Sequence, residues 1–565
     1  MFSPPERTEP RLLLDQRVSM RDGVTLSADV YLPAAGPGPW PAILYRTPYD
    51  NIDPTWVQTA VFFAARGYAF VSQDVRGRYD SDGEWAPFVH EAEDGFDTVE
   101  WVSGQPWCAG QVGMMGGSYT GTVQWLAVRE RPPHLTALVS RAAAGRWLEE
   151  MPYRFGVVSP YEMFWLNLVG GRTLQKSAPG VPDWSRIASH RPLRDLDLAL
   201  GRANTLWREW LAHDQFDDYW RRIAPDGHFH EIDLPVLHIT GWFDDDQLGA
   251  LHYWHGMVRE SPAANRQWLV IGPYDHAGTG APRQHLGGRD FGPGALVDVR
   301  AMHLRFFDRW LKGLDNGADR DPCVRIFTMG RNQWRNEETW PPAGTAPARF
   351  FLSSGGHANS LGGDGTLGTG APGDDTPADH FTYNPDNPTP SHLDLSDWPF
   401  GDYSLDNRWR LRRDDVLVYT SAPLAEELEI TGHPFVVLHA ASDCPDTDWH
   451  VTLCDVLPDG RSEQLAAGCL RAAYRGGREA PPTPIEPGRI YEYRIELPAI
   501  SNLWPTGHRL RLTVASADFP ATARNPNTNA PAGDDEIWRL AVNSVYHSPA
   551  YPSYLLAPVG REQGM

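Results

Sequence analysis

Apolar positions in the first quarter of the chain alternate between two rhythms. Residues 24–33 (VTLSADVYLP) repeat every second position, as a strand does, and stop at the Pro- and Gly-rich turn 33–41. A short apolar strand follows at 42–45 (AILY) and runs into Arg46-Thr47-Pro48-Tyr49-Asp50. Residues 57–66 (VQTAVFFAAR) have helical spacing and end at Gly67; 68–75 (YAFVSQDV) form a strand, and 76–85 a polar loop. Helical spacing returns at 92–102, with Phe96, Val99 and Trp101/Val102 on the core side. Then come a strand, a sharp turn and a helix across VGMMGGSYTG (112–121) and 122–129, and a strand at 135–140 (LTALVS). Near-continuous apolar strands separated by helices predict a mostly parallel sheet covered on both faces.

The rhythm breaks between 141 and 232. This stretch carries Trp147, Tyr153, Phe155, Tyr161, Trp165, Trp184, Trp207, Trp210 and Trp220 and lacks strand alternation. It reads as a helical insertion. Because it leaves the carboxyl end of a strand, the edge where open α/β sheets bind ligands, it is expected to cap a pocket. The sheet resumes at 234–242 (LPVLHITGW), followed by Asp244-Asp245-Asp246 and a helix-like stretch at 247–258. Residues 267–272 (QWLVIG) then lead to Pro273-Tyr274-Asp275-His276. The segment 297–313 is amphipathic, with Val299, Met302, Phe306 and Trp310 on one stripe and Gly313 as the stop. Beyond Asp321 strand-like pieces dominate (324–329, 349–352, 416–419, 435–440, 450–456, 491–497 and 510–515), separated by Pro/Gly/Asp loops. This predicts an all-β sandwich or jelly roll, with 355–379 as a mobile surface loop. The expected layout is an α/β catalytic domain from 1–140 and 233–320, a helical cap at 141–232 and an all-β domain at 321–565.

Composition narrows the partners. The 565 residues carry a net charge of −22 with no basic run, which disfavours nucleic acid and anionic membrane. Five cysteines, an odd number without a C-x-x-C pair, read as reduced thiols and not as a disulfide framework or zinc site. The first residues show no apolar signal region, and no run of 18 apolar residues occurs, so a cytoplasmic protein is expected. Oligomeric state is left open, a homo-oligomer included.

The glycines around Ser118 point to a nucleophile on a strained strand-to-helix turn. Gly116 and Ser118 fit G-x-S-x-G, but the trailing glycine is Gly121, one place late. A hydrolytic serine needs a base, an acid that orients it and donors for an oxyanion. His276 alone of the histidines closely follows a predicted sheet strand within an irregular loop; His238 lies within a strand, and His252 and His255 within a helix. The acid is sought after LPVLHITGW. Asp244 comes first, while Asp245 and Asp246 are either solvated or at the pocket mouth. Asp275 is discounted because adjacent side chains diverge. Ser118, an acid and His276 then follow the Ser…Asp…His order of α/β hydrolases on three strand ends. The N–H of Tyr119 is the expected first oxyanion donor. Tyr49, after the AILY strand, is either the second donor or aromatic packing.

These residues resemble the CocE/NonD hydrolases, the family of cocaine esterase, α-amino-acid ester hydrolases and X-Pro dipeptidyl peptidases. The family elbow is G-x-S-Y-x-G, which Gly116-Gly117-Ser118-Tyr119-Thr120-Gly121 matches. The likeness continues through Arg46-Thr47-Pro48-Tyr49, Asp74–Arg78 (DVRGR), Gly241–Asp244 (GWFD), Gly272–His276 (GPYDH) and Phe306–Gly313 (FFDRWLKG). It extends to Asp455–Gly460 (DVLPDG), Gly507–Leu512 (GHRLRL) and Arg524–Asn527 (RNPN). The resemblance implies an α/β-hydrolase domain with an inserted helical cap and a C-terminal jelly roll. It assigns Ser118 as nucleophile, Asp244 as acid and His276 as base, with Tyr49 and the Tyr119 N–H holding the oxyanion. It also implies a small-molecule ester or acyl substrate and no metal or organic cofactor. Family members that take α-amino acyl groups hold the ammonium with carboxylates. Asp246, and Glu149, Glu150 or Glu162 in the cap, are the candidates here, although Gln247 stands where a second carboxylate would fall. The cap aromatics favour a bulky apolar or aromatic acyl group. Alternatives are an α-amino-acid ester hydrolase, an X-Pro-type dipeptidyl aminopeptidase or β-lactam acylase, and, outside enzymes, a carbohydrate-binding jelly-roll protein on an inactive hydrolase scaffold.

Overall fold

The computed structural model describes residues 9–175, 184–373, 376–392 and 405–560. Ten strands form the first sheet: β1 (Arg11–Ser19), β2 (Thr25–Leu32), β3 (Trp40–Thr47), β4 (Ala69–Asp74), β5 (Cys108–Gly117) and β6 (Leu135–Arg141) precede the cap. The small cap hairpin is β7 (Tyr153–Arg154) and β8 (Val157–Val158). The sheet then continues with β9 (Val236–Phe243), β10 (Gln267–Asp275), β11 (Val324–Thr328) and β12 (Gln333–Glu337). The order in the sheet is β1-β2-β4-β3-β5-β6-β9-β10-β11-β12. Every pairing from β4 to β11 is parallel, and antiparallel strands close both edges. Parallel strands need crossovers, and the helices supply them on both faces. On one face α2 (Glu91–Ser103), α3 (Tyr119–Arg129) and α9 (Gln247–Glu260) bury Val99, Trp125 and Tyr253 against Leu44 and Leu138. On the other, α1 (Pro54–Ala64) and α10 (Val299–Trp310) pack Phe63, Phe306 and Phe307 on Ile43 and Val139. Asp53 and Asp298 cap the N-termini of α1 and α10 with their side chains.

Between β6 and β9 lies the cap, with α4 (Tyr161–Val169), α5 (Trp184–Ala188), α6 (Leu196–Ala199), α7 (Thr205–Ala212) and α8 (Asp218–Arg221). The β7–β8 hairpin interrupts what the pattern predicts as purely helical. Trp147, Trp207, Trp210 and Trp220 are fully buried and form the cap's own core. Phe155, Tyr161 and Trp165 of the cap are only half-buried. The Trp184 side chain lies outside the described residues.

Thirteen strands between Thr345 and Gly560 are linked by mostly antiparallel pairing into the all-β domain. Its longest ladder joins Asp448–Val456 to Ser462–Arg471, and Asp448–Val456 also pairs with Arg509–Ala515. Two expectations shift. The strand at 324–328, read from sequence as part of the C-terminal region, pairs with β10 and extends the hydrolase sheet. The 355–379 loop contains a short strand, Thr366–Gly368, paired with Thr345–Ser353. The two regions share one apolar cluster, running from Trp242, Ile271 and Ile326 to Leu438, Trp449 and Leu512. The Gln247 amide seals the seam by bonding both the N–H and C=O of Ala499. No helix of the described residues is long and apolar enough to cross a membrane. All five cysteines are free thiols.

Candidate active site

β5 ends at Gly117 and α3 begins at Tyr119, so Ser118 carries the whole change of direction. Its φ of 60° and ψ of −133° lie where only glycine is at ease, a strain of roughly 1–3 kcal/mol. The turn is over-determined: the Ser118 N–H bonds Arg141 O at 3.1 Å and Ala142 O at 2.8 Å, and the Thr120 hydroxyl clasps both the N–H and C=O of Gly117 at 2.7 Å. A Cβ on Gly116 would fall 2.4 Å from Thr120 O, and one on Gly121 would fall 2.7 Å from Arg141 O. The late glycine is therefore required because the first turn of α3 rests on the end of β6. Ser118 itself is half-buried.

His276 follows β10, and Asp244 follows β9, its parallel neighbour. Their side chains meet, with His276 Nδ1 2.9 Å from Asp244 Oδ1. Asp244 is buried and held by the Thr240 hydroxyl at 2.7 Å and the Asp246 N–H at 3.2 Å. Asp245 Oδ1 lies 3.1 Å from the same Nδ1, and Asp246 Oδ2 lies 3.7 Å away. Burial, which would lower the imidazole's pKa, is outweighed by the charge of Asp245, hydrogen bonds to Asp244 and Asp245, and the charge of Asp246; His276 is held well above its ordinary value. Asp275 turns away to Arg283 and to the Gly278 N–H. Among the described residues, Asp244, Asp245 and His276 also form a group with donor atoms within 4.8 Å of one another. The contacts of the imidazole with two carboxylates account for that spacing.

Tyr49 leaves the end of β3, its N–H fixed by the Thr47 hydroxyl at 3.0 Å. Its phenol accepts a 3.1 Å hydrogen bond from the Trp165 indole of α4, and burial raises its pKa against the pull of that bond and of the His276 charge. The Tyr119 side chain points away into a buried network. Its hydroxyl donates to Glu91 at 2.7 Å, and Glu91 pairs with Arg46 at 2.7 Å. As the first residue of α3, Tyr119 has an N–H with no partner inside the helix.

The candidate carboxylates divide. Glu150 accepts the N–H groups of Gly145 and Arg146 at 2.9 and 3.1 Å and that of Gly249 at 2.8 Å, stapling the cap's entry to α9. Burial still pushes its carboxyl up to about 7. Glu149 pairs with Arg146, which also reaches Glu496 of the all-β domain. Neither offers a free carboxylate to the site. Glu162 is buried on α4; burial lifts it to about 8 against the pull of Arg154, with Asp245 and Glu150 adding to the rise. Burial likewise holds Asp246 well above the usual carboxylate range. Arg154, whose Nε is buried without a hydrogen-bond partner, brings positive charge to this side.

The first half of the chain matches the X-Pro dipeptidyl-peptidase (S15 family) profile over residues 22–278. The X-Pro dipeptidyl-peptidase C-terminal non-catalytic domain matches residues 316–556. The chain is 34% identical to the cocaine esterase of Rhodococcus sp. (strain MB1 Bresler), over 96% of this chain and 97% of that protein. The chain belongs to the CocE/NonD hydrolase family. This CocE/NonD hydrolase also superposes on an α-amino acid ester hydrolase (TM-score 0.85, 26% identity, 99% and 98% of the two chains). An aminopeptidase from the marine sediment archaeon Thaumarchaeota archaeon gives 0.86 at 25% identity with the same coverage. The α/β-hydrolase domain and its C-terminal β domain are thus those of a serine hydrolase family.

Three contacts of the CocE/NonD site escape sequence reasoning: the Trp165 indole on Tyr49, the second carboxylate of Asp245 on His276, and Arg141. The Arg141 guanidinium lies against Gly117 and Gly280 with Nε unpartnered, and burial lowers its pKa. None carries a motif that could have marked it. A second Ser-Asp-His set sits in the all-β domain. The Ser354 hydroxyl lies 2.7 and 2.8 Å from the Asp379 oxygens and 3.1 Å from His547 Nε2. That same Nε2 lies 2.9 Å from Asp379 Oδ2, which also accepts the Tyr419 hydroxyl at 2.7 Å.

Proposed function

We propose that the protein is a serine esterase that cleaves a carboxylic ester, or a related acyl bond, through an acyl-enzyme. The observation that carries this reading is the 2.9 Å contact from His276 Nδ1 to buried Asp244, beside a serine on a positive-φ elbow. With Nδ1 occupied, Nε2 is the nitrogen left for Ser118. Ser118 Oγ attacks the acyl carbon as His276 takes its proton, and Asp244 fixes the tautomer and stabilises the imidazolium. The carbonyl oxygen, now an anion, is held by the Tyr119 N–H and the Tyr49 O–H. An indole N–H can only donate, so the Trp165 bond makes the Tyr49 oxygen an acceptor and leaves its single proton for the oxyanion. Collapse expels the alcohol with the proton from His276. Water then repeats the sequence and releases the acid.

The test pairs Ser118→Ala with a fluorophosphonate probe on a panel of p-nitrophenyl esters. Turnover is expected to vanish, and wild-type protein to be labelled at Ser118; an active Ser118→Ala variant overturns the reading. The relationship to an α-amino acid ester hydrolase and an aminopeptidase motivates a second reading, in which a free α-ammonium is required. Asp246 and Glu162 lie in the right region, but burial favours their neutral forms and Arg154 already supplies a cation there. N-acetylation of an α-amino ester should therefore leave cleavage intact, whereas an ammonium requirement would abolish it.

A further inference from the structure

We propose that Asp245 is a second acid on the base: it shares the Nδ1 proton of His276 with Asp244, tuning when the imidazole becomes neutral and securing its tautomer. This rests on the reading of Ser118, Asp244 and His276 as the triad.

Consecutive side chains diverge in an extended strand. Here the strand is over: β9 stops at Phe243, and residues 244–246 turn into α9, closed by the Gln247 N–H on Asp244 O at 3.2 Å. The turn brings two neighbouring carboxylates to one side. Asp244 Oδ1 stands 2.9 Å from Nδ1 as its hydrogen-bond partner, and Asp245 Oδ1 stands 3.1 Å away as an ion-pair contact on the same nitrogen; Asp246 at 3.7 Å is more distant. The two differ in surroundings. The Asp244 side chain is fully buried and held by Thr240, whereas that of Asp245 is 43% exposed, and His276 is the side chain it meets. Asp245 is thus free to follow the imidazole as it gains and loses charge, with solvent screening part of the pull.

Other charges face the pair from each packed element. Asp246 comes from the same turn, and Tyr49 from the end of β3. Tyr161 and Glu162 of α4 and Arg154 of β7 act on Asp245, and Arg141 of β6 acts on Asp244. Burial would raise the Asp245 carboxyl, but the charge and hydrogen bond of His276, with Arg154 behind them, hold it below the usual range.

The base acts only when neutral. A second negative partner raises the imidazole pKa, so activity falls at a higher pH on the acid side than one carboxylate would cause. Asp245→Asn is expected to move the acid limb of kcat/KM to lower pH by about one unit, with Tm unchanged. The tautomer role predicts non-additivity. Asp244→Asn alone should lose about 10²-fold in kcat, because Asp245 still accepts the Nδ1 proton, and the double variant should approach the roughly 10⁴-fold loss of a triad with no acid. Measured on p-nitrophenyl esters, an unmoved limb in Asp245→Asn, or a double variant no worse than Asp244→Asn, overturns the proposal. If Asp244→Asn does not fold, the limb of the exposed-site variant decides alone. Failure of the triad itself would read differently, as turnover surviving in Ser118→Ala.

Discussion

The protein holds two Ser-Asp-His sets, in the same chain order, and they are built in opposite ways. At the hydrolase site, His276 spends Nδ1 on Asp244, which on the proposed mechanism leaves its other nitrogen for the serine. In the all-β domain, one nitrogen of His547 reaches both Ser354 and Asp379, and Ser354 bonds the carboxylate directly. A proton cannot pass from serine through the ring to the acid if one nitrogen meets both. Exposure differs too. Asp379, His547 and Tyr419 are fully buried, while Ser118 and His276 are reachable. The second set also falls in the segment matching a non-catalytic domain. On the proposed mechanism, residue types and order do not make a triad; the division of the imidazole's two nitrogens does.

The largest separation between the two sets is expected from their serines. Ser118→Ala should cost about 10⁴–10⁶ in kcat with little change in Tm. Ser354→Ala should leave kcat intact and cost about 1–3 kcal/mol in urea unfolding, because Asp379 and His547 lose a buried partner. The tyrosines sharpen the contrast. Tyr49→Phe should lower kcat roughly 10²–10³-fold if its hydroxyl is an oxyanion donor; Tyr419→Phe should affect only stability. The cap contact comes next. Trp165→Phe should lower kcat about tenfold with KM little changed, and should cost nothing further in a Tyr49→Phe background, since the lost bond acts through that phenol.

The pH responses should part as well. His276 has a raised pKa, so its charged form stabilises the fold at low pH, and that contribution is lost as pH rises through the raised value. The same charge abolishes the base, so kcat/KM falls on the acid side of that value. Asp379 is lowered: burial is outweighed by its hydrogen bonds to His547, Ala358, Tyr419 and Ser354. Its contribution is present above the unfolded carboxylate pKa and is lost as pH falls through the lowered folded value. On acidification, activity should disappear first, with near-UV circular dichroism unchanged, and unfolding should follow at lower pH. Coincident loss of both signals would contradict the contrast.

Much of this was legible before any coordinates. The strand ends carrying Tyr49, Ser118, Asp244 and His276 follow from hydrophobic runs that stop at turn residues, and the parallel pairing of β9 with β10 brings Asp244 to His276. The partner of a short apolar strand was not legible. Residues 324–328 read alike beside β10 or inside a sandwich, because periodicity encodes faces and not neighbours. The short helices α5, α6 and α8, of four or five residues, span little more than one turn and leave no period to find. Nor does sequence separate Trp165 from Trp147 or Trp210; all sit among aromatics, and only the tertiary fold aims one indole at Tyr49. Glu150 was misleading for a related reason: three backbone N–H groups claim it, and backbone donors leave no mark in the sequence. Asp245 reads in the sequence as a solvated or pocket-mouth acid, and only the turn from strand into helix carries it to His276 Nδ1.

The indole bond from α4 to Tyr49 ties two properties usually treated as separable. A cap is the natural place to alter which acyl groups are accepted, since it can be reshaped without disturbing the sheet. On the proposed mechanism, one cap residue also aims a hydroxyl at the reacting oxygen. On that mechanism, any library that includes position 165 changes selectivity and turnover together. Variants recovered there for a new substrate should be slower on every substrate.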